Sequence, residues 1–373
     1  MTPVTRPVIA CCAYPFGYGP ASKLIVLARA LRDRGWEPVF LGTGIARELA
    51  ARSDVFAQVV TAEPHEPEIR SWLEAATGLL SVMDRNFAAV ACASGRPYCV
   101  VDSLLWMRDR VPDVFLSARR YWVQDFPGVR IRLSEIQPTP TVVGPIVPTM
   151  SRAEPGPNAG LVLNLGGMES PNGDAEDAIT YADFVIDGLL RSELLARFCD
   201  RAMVLGGRGI IDHLTRRHGR TGLEFASLSH DEGLGRLAGA AMVLTAPGLT
   251  ATLECFQLAV PTFFLPPQYY SQWWSLHVLR RSGLAPASFH WQDRLAESPI
   301  IERMPEATRG PLLRGIIDRL VTDETAQAAY VDCLGAAAAT DRPALAARQR
   351  AFFDSLGPNG VETIARQLTE LCG

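Results

Sequence analysis

The stretch Leu244-Thr-Ala-Pro-Gly248-Leu-Thr-Ala-Thr-Leu-Glu254 decides the fold, and it continues through Val260-Pro-Thr-Phe-Phe-Leu265 to Gln272. Its apolar runs, Met242 to Thr245 and Val260 to Leu265, are short in the way that buried parallel strands are. A glycine turn and a helical segment lie between them. The stretch therefore predicts a strand, a turn, a helix and a second strand, with a ligand site at the turns.

The residues around Gly248 have the chemistry of a nucleotide site. Gly248 follows the first strand, and Leu249 and Thr250 begin the helix, where backbone N–H groups and the positive helix end can meet phosphate oxygens. Glu254 lies about one and a half helical turns beyond Gly248 and can accept both hydroxyls of a ribose. Gln272, in the next loop, can reach a sugar hydroxyl. The alternative is an ordinary strand-helix-strand unit whose glycine only turns the chain.

At these residues the chain resembles the donor-binding signature of nucleotide-sugar glycosyltransferases with two Rossmann-like domains, the GT-B architecture. The resemblance implies that the Gly248 turn and the following helix bind the diphosphate, that Glu254 binds the ribose and that Gln272 binds the sugar. Two positions depart from the plant-type members. Ala246 stands where they have a phosphate-binding histidine, and Ser271 stands where they have an aspartate.

Length and composition exclude several classes of protein. The chain has 373 residues, 48% of them apolar and 20% charged, which suffices for two globular domains. Its net charge of −4 provides no basic excess for nucleic-acid binding. No run approaches the roughly 18 apolar residues of a membrane span, and no signal peptide is recognised, so we expect a cytoplasmic protein without a membrane partner. The eight cysteines lack metal-ligand spacing, and no metal is expected.

The chain opens with a predicted strand, Val8 to Tyr14, followed by a turn and a helix that stops at Gly35. The turn does not match the dinucleotide fingerprint G-x-G-x-x-G. It resembles instead the N-terminal opening of GT-B enzymes, and this resemblance implies an acceptor site lined by Phe16, Gly17, Tyr18 and Gly19. Many GT-B members have a histidine base here, whereas this chain has no histidine before His65.

Lys23 is the only lysine among 36 basic side chains, and it lies in the first turn of the helix after this loop. We expect its ammonium group to contact a phosphate or a sugar carboxylate in the interdomain cleft, as a catalytic residue. The alternative is a solvated helix residue.

Two strand ends of the first domain provide acidic candidates. Asp102 and Ser103 end the predicted strand that begins at Tyr98, where ligands of parallel sheets bind. Asp102 is predicted to act as a base or to bind the acceptor, and a helix cap is the alternative. Asp125 follows another strand-like run and is expected to line the acceptor pocket, with aromatic packing around it as the alternative. Between these elements and the first two strands, Glu68 to Met83 is predicted to be helical.

A segment rich in proline and glycine divides the chain. The predicted parts are an acceptor domain at residues 1–150, a linker at 151–160, a nucleotide-sugar domain at 161–350 and a final helix at 351–373 that returns to the first domain. The pair Gly144-Pro145 at the seam is similar to the one in GT-B chains.

The second domain provides further donor candidates. Gly166 and Gly167 follow a predicted strand, and the GT-B resemblance implies that this turn approaches the diphosphate. Arg208 follows another glycine turn and can pair with phosphate or carboxylate, with a plain surface role as the alternative. Phe225 lies in a strand whose end meets the nucleobase in the family. The histidines on polar helix ends or loops of this domain are expected to be solvated: His213, His218 and His230.

These features predict an α/β protein of two Rossmann-like domains with an interdomain cleft and a C-terminal crossover helix. The predicted activity is metal-independent transfer of a sugar from a nucleoside diphosphate sugar, UDP-linked, to a small acceptor. The nucleotide sugar is a substrate, and no bound cofactor is expected. A UDP-sugar 2-epimerase-like isomerase and a non-catalytic auxiliary protein of a glycosyltransferase stay open as alternatives, as does the oligomeric state.

A second resemblance concerns the substrates. Phe16 to Lys23 is similar to the enzymes that join glucuronic acid to cytosine in nucleoside-antibiotic biosynthesis. This resemblance implies UDP-glucuronate as the donor, a ring nitrogen of cytosine as the acceptor atom and an N-glycosidic product. It also implies that Lys23 or Arg208 binds the carboxylate of the donor sugar.

Overall fold

The computed structural model describes residues 6–152, 159–168, 175–198, 201–295, 301 and 304–372. The chain forms two compact units. The first contains the chain up to Thr149 together with Leu356 onward, and the second runs from Met150 to Ser355. Residues 153–158 of the predicted linker lie outside the described residues.

Parallel strands form the centre of the first unit: β1 (Val8–Ala13), β2 (Glu37–Gly42), β3 (Gln58–Thr61), β4 (Gly78–Val82), β5 (Tyr98–Asp102), β6 (Arg120–Gln124) and β7 (Thr141–Val143). Within the described residues they make a seven-stranded sheet in the order β3-β2-β1-β4-β5-β6-β7. The helices of this unit are α1 (Gly19–Arg32), α2 (Gly44–Ala51), α3 (Pro67–Ala75), α4 (Arg85–Ala93), α5 (Asp113–Leu116), α6 (Val129–Arg132) and, at the end of the chain, α16 (Gly360–Cys372).

The second unit repeats this plan with fewer strands: β8 (Leu161–Asn164), β9 (Ala202–Leu205), β10 (Glu224–Ala226), β11 (Met242–Thr245) and β12 (Thr262–Phe264). In its described part they pair in parallel in the order β10-β9-β8-β11-β12. Its helices are α7 (Ala175–Arg191), α8 (Glu193–Ala196), α9 (Arg208–His218), α10 (His230–Ala238), α11 (Leu249–Gln257), α12 (Tyr270–Arg281), α13 (Glu306–Leu320), α14 (Glu324–Ala339) and α15 (Arg342–Ser355).

The core of the first unit lies where α1 and α16 pack on the sheet. Leu24 and Leu27 on α1 belong to one buried cluster with Ile9 of β1 and with Ile364 and Leu368 of α16. Helical periodicity predicts such a face, because side chains three or four residues apart lie on the same side of a helix. Burial of each large aliphatic side chain contributes about 1.5–3 kcal/mol to folding.

The C-terminal helix is fixed to the first unit by a close backbone approach. A side chain at Gly144 would place its Cβ 2.0 Å from the carbonyl oxygen of Pro358, so only glycine fits there. Beside this contact the N–H of Gly360 donates to the carbonyl of Pro145 at 2.9 Å, and Trp36 Nε1 donates to Thr369 Oγ1 at 3.3 Å. The last helix thus belongs to the first unit.

The segment Glu68 to Met83 is not one helix, so that prediction is wrong. Helix α3 ends at Ala75, and β4 follows within the same segment. β4 lies between β1 and β5 in the sheet and is buried throughout. A run as short as Gly-Leu-Leu-Ser-Val has no period that separates a buried strand from a buried helix turn.

Within the described residues, no helix is long and apolar enough to cross a membrane. The same part of the chain contains no group of three or more His, Cys, Asp or Glu side chains arranged to hold a metal ion. Cys11, Cys99 and Cys255 are buried free thiols, and burial raises the pKa of Cys11 and of Cys255.

His290 is a buried histidine of the second unit, with 1% of its surface exposed. Its ring meets the edge of Trp273 at a centroid distance of 4.2 Å. Nδ1 accepts from the N–H of Gln292 at 3.2 Å, and Nε2–H donates to the carbonyl of Trp273 at 3.4 Å. The neutral ring therefore has partners at both nitrogens. Burial lowers the pKa of His290 to about 4.

We expect this histidine to make stability fall as the pH drops. The unfolded chain has a histidine pKa of about 6.5, so between about pH 6.5 and pH 4 the unfolded state binds more protons. The stabilisation is complete above this window and is lost through it, by at most about 3 kcal/mol. Urea unfolding at pH 7 and pH 4.5 should show a smaller loss in His290→Gln than in the parent. His65→Gln, at an exposed site, is the control, and an equal loss in all three proteins would contradict the expectation.

Candidate functional site

The second sheet has its topological switch point between β8 and β11. The chain extends from β8 to β9 and β10 on one side, and then returns to β11 and β12 on the other. Open parallel sheets bind ligands outside the carboxyl ends of the strands at such a point. Here Asn164 and Thr245 are register partners at the last positions of the two strands, and Asn164 Nδ2 donates to Thr245 Oγ1 at 3.3 Å.

The turn after β8 is shaped by Asn164, a residue that the sequence analysis does not select. Its Oδ1 accepts from the N–H of Gly166 at 3.1 Å. Gly166 has φ of 72°, a left-handed conformation that favours glycine. One residue beyond Gly167, the carbonyl of Met168 accepts from the hydroxyl of Tyr269 at 2.8 Å. The glycine turn is thus held to the loop that precedes α12.

The turn after β11 is open for a different reason. Gly248 is the N-cap of α11 and has φ of −73° and ψ of 137°, which any residue can adopt. A Cβ at this position would meet no atom within 4 Å. Neither backbone strain nor packing therefore requires glycine, and there is room for further atoms beside the first residue before α11. Leu249 and Thr250, the first residues of the helix, are buried.

Glu254 is held by a histidine that sequence reasoning predicts to be solvated. His230 Nε2 lies 2.8 Å from Glu254 Oε1, and the two side chains are only 8% and 7% exposed. His230 is the first residue of α10, just after β10, and Glu254 is on α11. The prediction for His230 is wrong because the polar local sequence gives no sign of the acidic side chain that folding brings beside it.

The prediction of solvated side chains is also wrong for His213 and His218, because each lies beside a carboxylate. His213 Nε2 lies 3.0 Å from Asp183 Oδ1, and His218 is buried beside the same carboxylate at 3.5 Å. Asp183 belongs to α7 and both histidines to α9, so these contacts join two helices rather than a strand end.

The remaining donor candidates lie at the same edge of the second sheet. Arg208 is exposed and is the first residue of α9, after the glycine turn that follows β9. Phe225 is half-buried in β10. Gln272 is in the first turn of α12, where its Oε1 accepts from the N–H of Gln268 at 2.9 Å. Parallel pairing thus brings the candidates of the second unit to one edge, and their donor roles stay predictions.

In the first unit the acceptor candidates also collect at the carboxyl edge of the sheet. Phe16, Gly17 and Tyr18 lie half-buried in the turn between β1 and α1, and Gly19, also half-buried, begins α1. Gly17 has φ of 57°, and a Cβ there would meet no atom within 4 Å. Lys23 on α1 is 1% exposed, so the alternative of a solvated residue is wrong.

Asp102 ends β5 as a fully buried carboxylate. Its oxygens accept from Arg108 Nε at 2.8 Å, from the hydroxyl of Tyr121 at 3.0 Å and from the N–H of Leu104 at 2.8 Å. The contact with Leu104 is local, but the short 3₁₀ helix that follows, Leu105–Met107, has Leu104 as its N-cap and no side-chain cap, so the capping alternative is wrong. Burial, followed by the charge of Asp102, raises the pKa of Tyr121, which keeps its proton for this bond. These are the contacts of a carboxylate that organises the strand end, and its catalytic role stays a prediction.

The neighbouring strand ends hold further polar groups. Ser103 is buried and its hydroxyl lies 3.2 Å from Met83 Sδ. Asp125, after β6, is 6% exposed and pairs with Arg130 at 2.6 Å. Asp84, after β4, is missed by the sequence analysis because β4 is missed. Its carboxylate accepts from the N–H of Phe87 at 2.8 Å, and burial raises its pKa.

Solved structures share this fold over nearly the whole chain. Arabidopsis thaliana UGT89C1 complexed with UDP is 12% identical with a TM-score of 0.56, and the match covers 99% of each chain. The spinosyn forosaminyltransferase SpnP is 12% identical with a TM-score of 0.54, covering 99% of this chain and 100% of that one. LpCGTa in complex with UDP is 13% identical with a TM-score of 0.52, covering 98% of each. No protein-family model and no curated protein matches the chain. The predicted α/β fold class, with Rossmann-like units of the GT-B architecture, is confirmed.

The open turn at Gly248 gives a test that separates ligand binding from folding. We expect Gly248→Ser to keep or raise the melting temperature, because serine is a favoured N-cap. Its side chain would occupy the space before α11 and accept hydrogen bonds from the backbone N–H groups that a phosphate needs. The affinity for UDP should therefore fall about tenfold. Calorimetric titration with UDP measures the affinity, and differential scanning calorimetry measures the melting temperature.

Gly166→Ala is the matched comparison, because glycine is required there by the left-handed backbone. This variant should lose about 1 kcal/mol of stability. A Gly248→Ser protein that is destabilised and binds UDP like the parent would contradict the assignment of an open phosphate turn.

Proposed function

We propose that this chain is a glycosyltransferase that moves a sugar from a UDP-linked donor to a small acceptor molecule. The observation that supports this most directly is the placement of Glu254 behind the open Gly248 turn. Glu254 lies about 9 Å along α11 from the turn, which is the scale of a nucleoside diphosphate between its phosphates and its ribose hydroxyls. Within the described residues, Glu254 Oε2 receives no hydrogen bond, so it is available to a ribose hydroxyl.

The diphosphate would bind at the carboxyl edge of the second sheet. The N–H of Gly166 is already donated to Asn164, so this turn would offer the N–H of Gly167, and together with the N-terminus of α11 it would meet the negative charge there. The same groups would stabilise the charge that develops on the leaving diphosphate in the transition state. Two of the structures with this fold contain UDP, which supports UDP as the nucleotide.

The acceptor would bind at the carboxyl edge of the first sheet. The Phe16 to Gly19 turn, Ser103 and Asp125 follow β1, β5 and β6 along this edge. Because Asp102 is already bound by Arg108 and Tyr121, we propose that it acts by fixing these groups and by its charge. Transfer would then depend mainly on the positioning of the two reactants.

The finer proposal is UDP-glucuronate as donor and cytosine as acceptor, with a bond from the anomeric carbon to a ring nitrogen. It is supported by the resemblance of Phe16 to Lys23 to enzymes with these substrates. Of the two cations considered for the sugar carboxylate, Lys23 is buried in α1 whereas Arg208 is exposed at the strand-end edge of the second unit. We therefore assign the carboxylate contact to Arg208, whose planar fork suits bidentate binding.

Glu254→Gln should lower UDP affinity by about tenfold or more, because a hydrogen bond to a charged acceptor contributes about 1.5–3 kcal/mol. Thermal shift with UDP, dTDP, GDP and UDP-sugars measures this, since a ligand of the folded state raises the melting temperature. Glu224→Gln, at an exposed position of β10, is the control and should bind UDP like the parent. If no nucleotide stabilises the parent, the proposal fails in favour of an auxiliary protein. If the donor alone yields a new sugar isomer, it fails in favour of an isomerase.

Arg208→Ala should weaken UDP-glucuronate about tenfold and leave UDP-glucose nearly unchanged, because only the uronate has a carboxylate to pair with the guanidinium. Competition of each sugar nucleotide against UDP measures both affinities. Arg216→Ala is the matched control, since Arg216 is exposed in the last turn of the same helix. Equal losses for the two donors would overturn the carboxylate contact while leaving the UDP site intact.

A further inference from the structure

We propose that His230 is a positioning residue of the nucleotide site, which acts on the ribose through Glu254. The inference rests on the proposed function, because it takes Glu254 as the group that binds the ribose. It adds a residue from a different element of the sheet edge, since Glu254 is on α11 whereas His230 begins α10.

The contact between the two side chains has a defined direction. A carboxylate oxygen only accepts, so His230 Nε2 bears the proton and donates to Glu254 Oε1 over 2.8 Å. Both side chains are more than nine-tenths buried. Water therefore competes little for this bond, and a buried carboxylate without a donor would be costly.

The backbone at His230 is fixed independently of this contact. Ser229 caps α10 in a capping box: its Oγ accepts from the N–H of Glu232 at 3.4 Å, and Glu232 Oε2 accepts from the N–H of Ser229 at 2.9 Å. This reciprocal pair sets the first turn of the helix. The imidazole is thus presented to α11 from a rigid position.

The other ring nitrogen shows what the imidazole is placed for. His230 Nδ1 is buried and has no hydrogen-bond partner in the described part of the chain. An unsatisfied buried polar atom costs free energy, so Nδ1 does not account for the position of the ring. The bond to Glu254 is the polar contact that this position provides.

The consequence for a ligand follows from the two carboxylate oxygens. The hydrogen bond from His230 to Oε1 fixes the rotamer of Glu254. The second oxygen, Oε2, is therefore held in one orientation. A ribose hydroxyl then meets an acceptor that is already oriented, and binding does not have to order the side chain. Without His230 the carboxylate would rotate between several positions and would bind the ribose less well.

The test compares UDP with 2′-deoxy-UDP, which lacks one of the hydroxyls that Glu254 would accept. Titration calorimetry gives the affinity ratio of the two nucleotides for each protein. In His230→Asn the amide is too short to reach Glu254, and we expect the ratio to fall about tenfold, as in Glu254→Gln. In His230→Gln the amide nitrogen lies near the place of Nε2 and can donate to Glu254. We therefore expect the affinity ratio of UDP to 2′-deoxy-UDP to be close to that of the parent.

His213→Asn is the matched control, because it breaks a partly buried histidine–carboxylate contact of the same unit between α7 and α9. It should lower the melting temperature and leave the ratio unchanged, since a structural defect affects both nucleotides alike. The double variant His230→Asn/Glu254→Gln should be no worse than Glu254→Gln alone if His230 acts through Glu254.

The outcomes separate the two proposals. If Glu254→Gln loses the preference for UDP while His230→Asn keeps it, His230 has no positioning role and the proposed function stands. If the parent binds both nucleotides equally, Glu254 does not read the ribose and this inference falls. If the parent binds neither, the proposed function itself is wrong.

Discussion

Both units depend on one geometrical constraint: all strands of a parallel sheet end at the same edge. Residues that are far apart in the chain, such as those after β8, β9, β10 and β11, are therefore placed side by side. At the switch point of the second sheet the bond between Asn164 and Thr245 joins the two strand ends. Asn164 also shapes the glycine turn beside them. The nucleotide site that we propose is a direct product of this pairing.

The carboxylates at these edges share a second physical requirement. A buried carboxylate needs donors to offset its lost hydration, and each one here has them. Glu254 has His230, Asp102 has Arg108 and Tyr121, and Asp125 has Arg130. The donors fix the direction of each acid, so residues that touch no ligand determine how those that do are presented. Candidate residues and their supporting residues therefore have to be considered together.

The sequence predicted those strands, helices and turns whose pattern lies within a few neighbouring residues. The apolar run at Met242 to Thr245 and the helix after Gly248 were predicted because strand length, glycine and helical period lie within one short window. The glycine turns at Gly166 and Gly248 were located for the same reason. The prediction failed at β4, because its short apolar run follows helix α3 with almost no connecting residues. With β4 missing, Asp84 at its end could not be recognised as a strand-end acid.

By itself the sequence determined the order of strands and helices apart from β4, the turns at the strand ends, and the acids and glycines of the edges apart from Asp84. The tertiary structure alone decided which of these groups meet. His230 and Glu254 are separated by a helix and a strand along the chain, and the burial of Lys23 depends on how α1 packs in its unit. A side chain's hydration and partners are set by residues distant in sequence, and no local pattern contains that information.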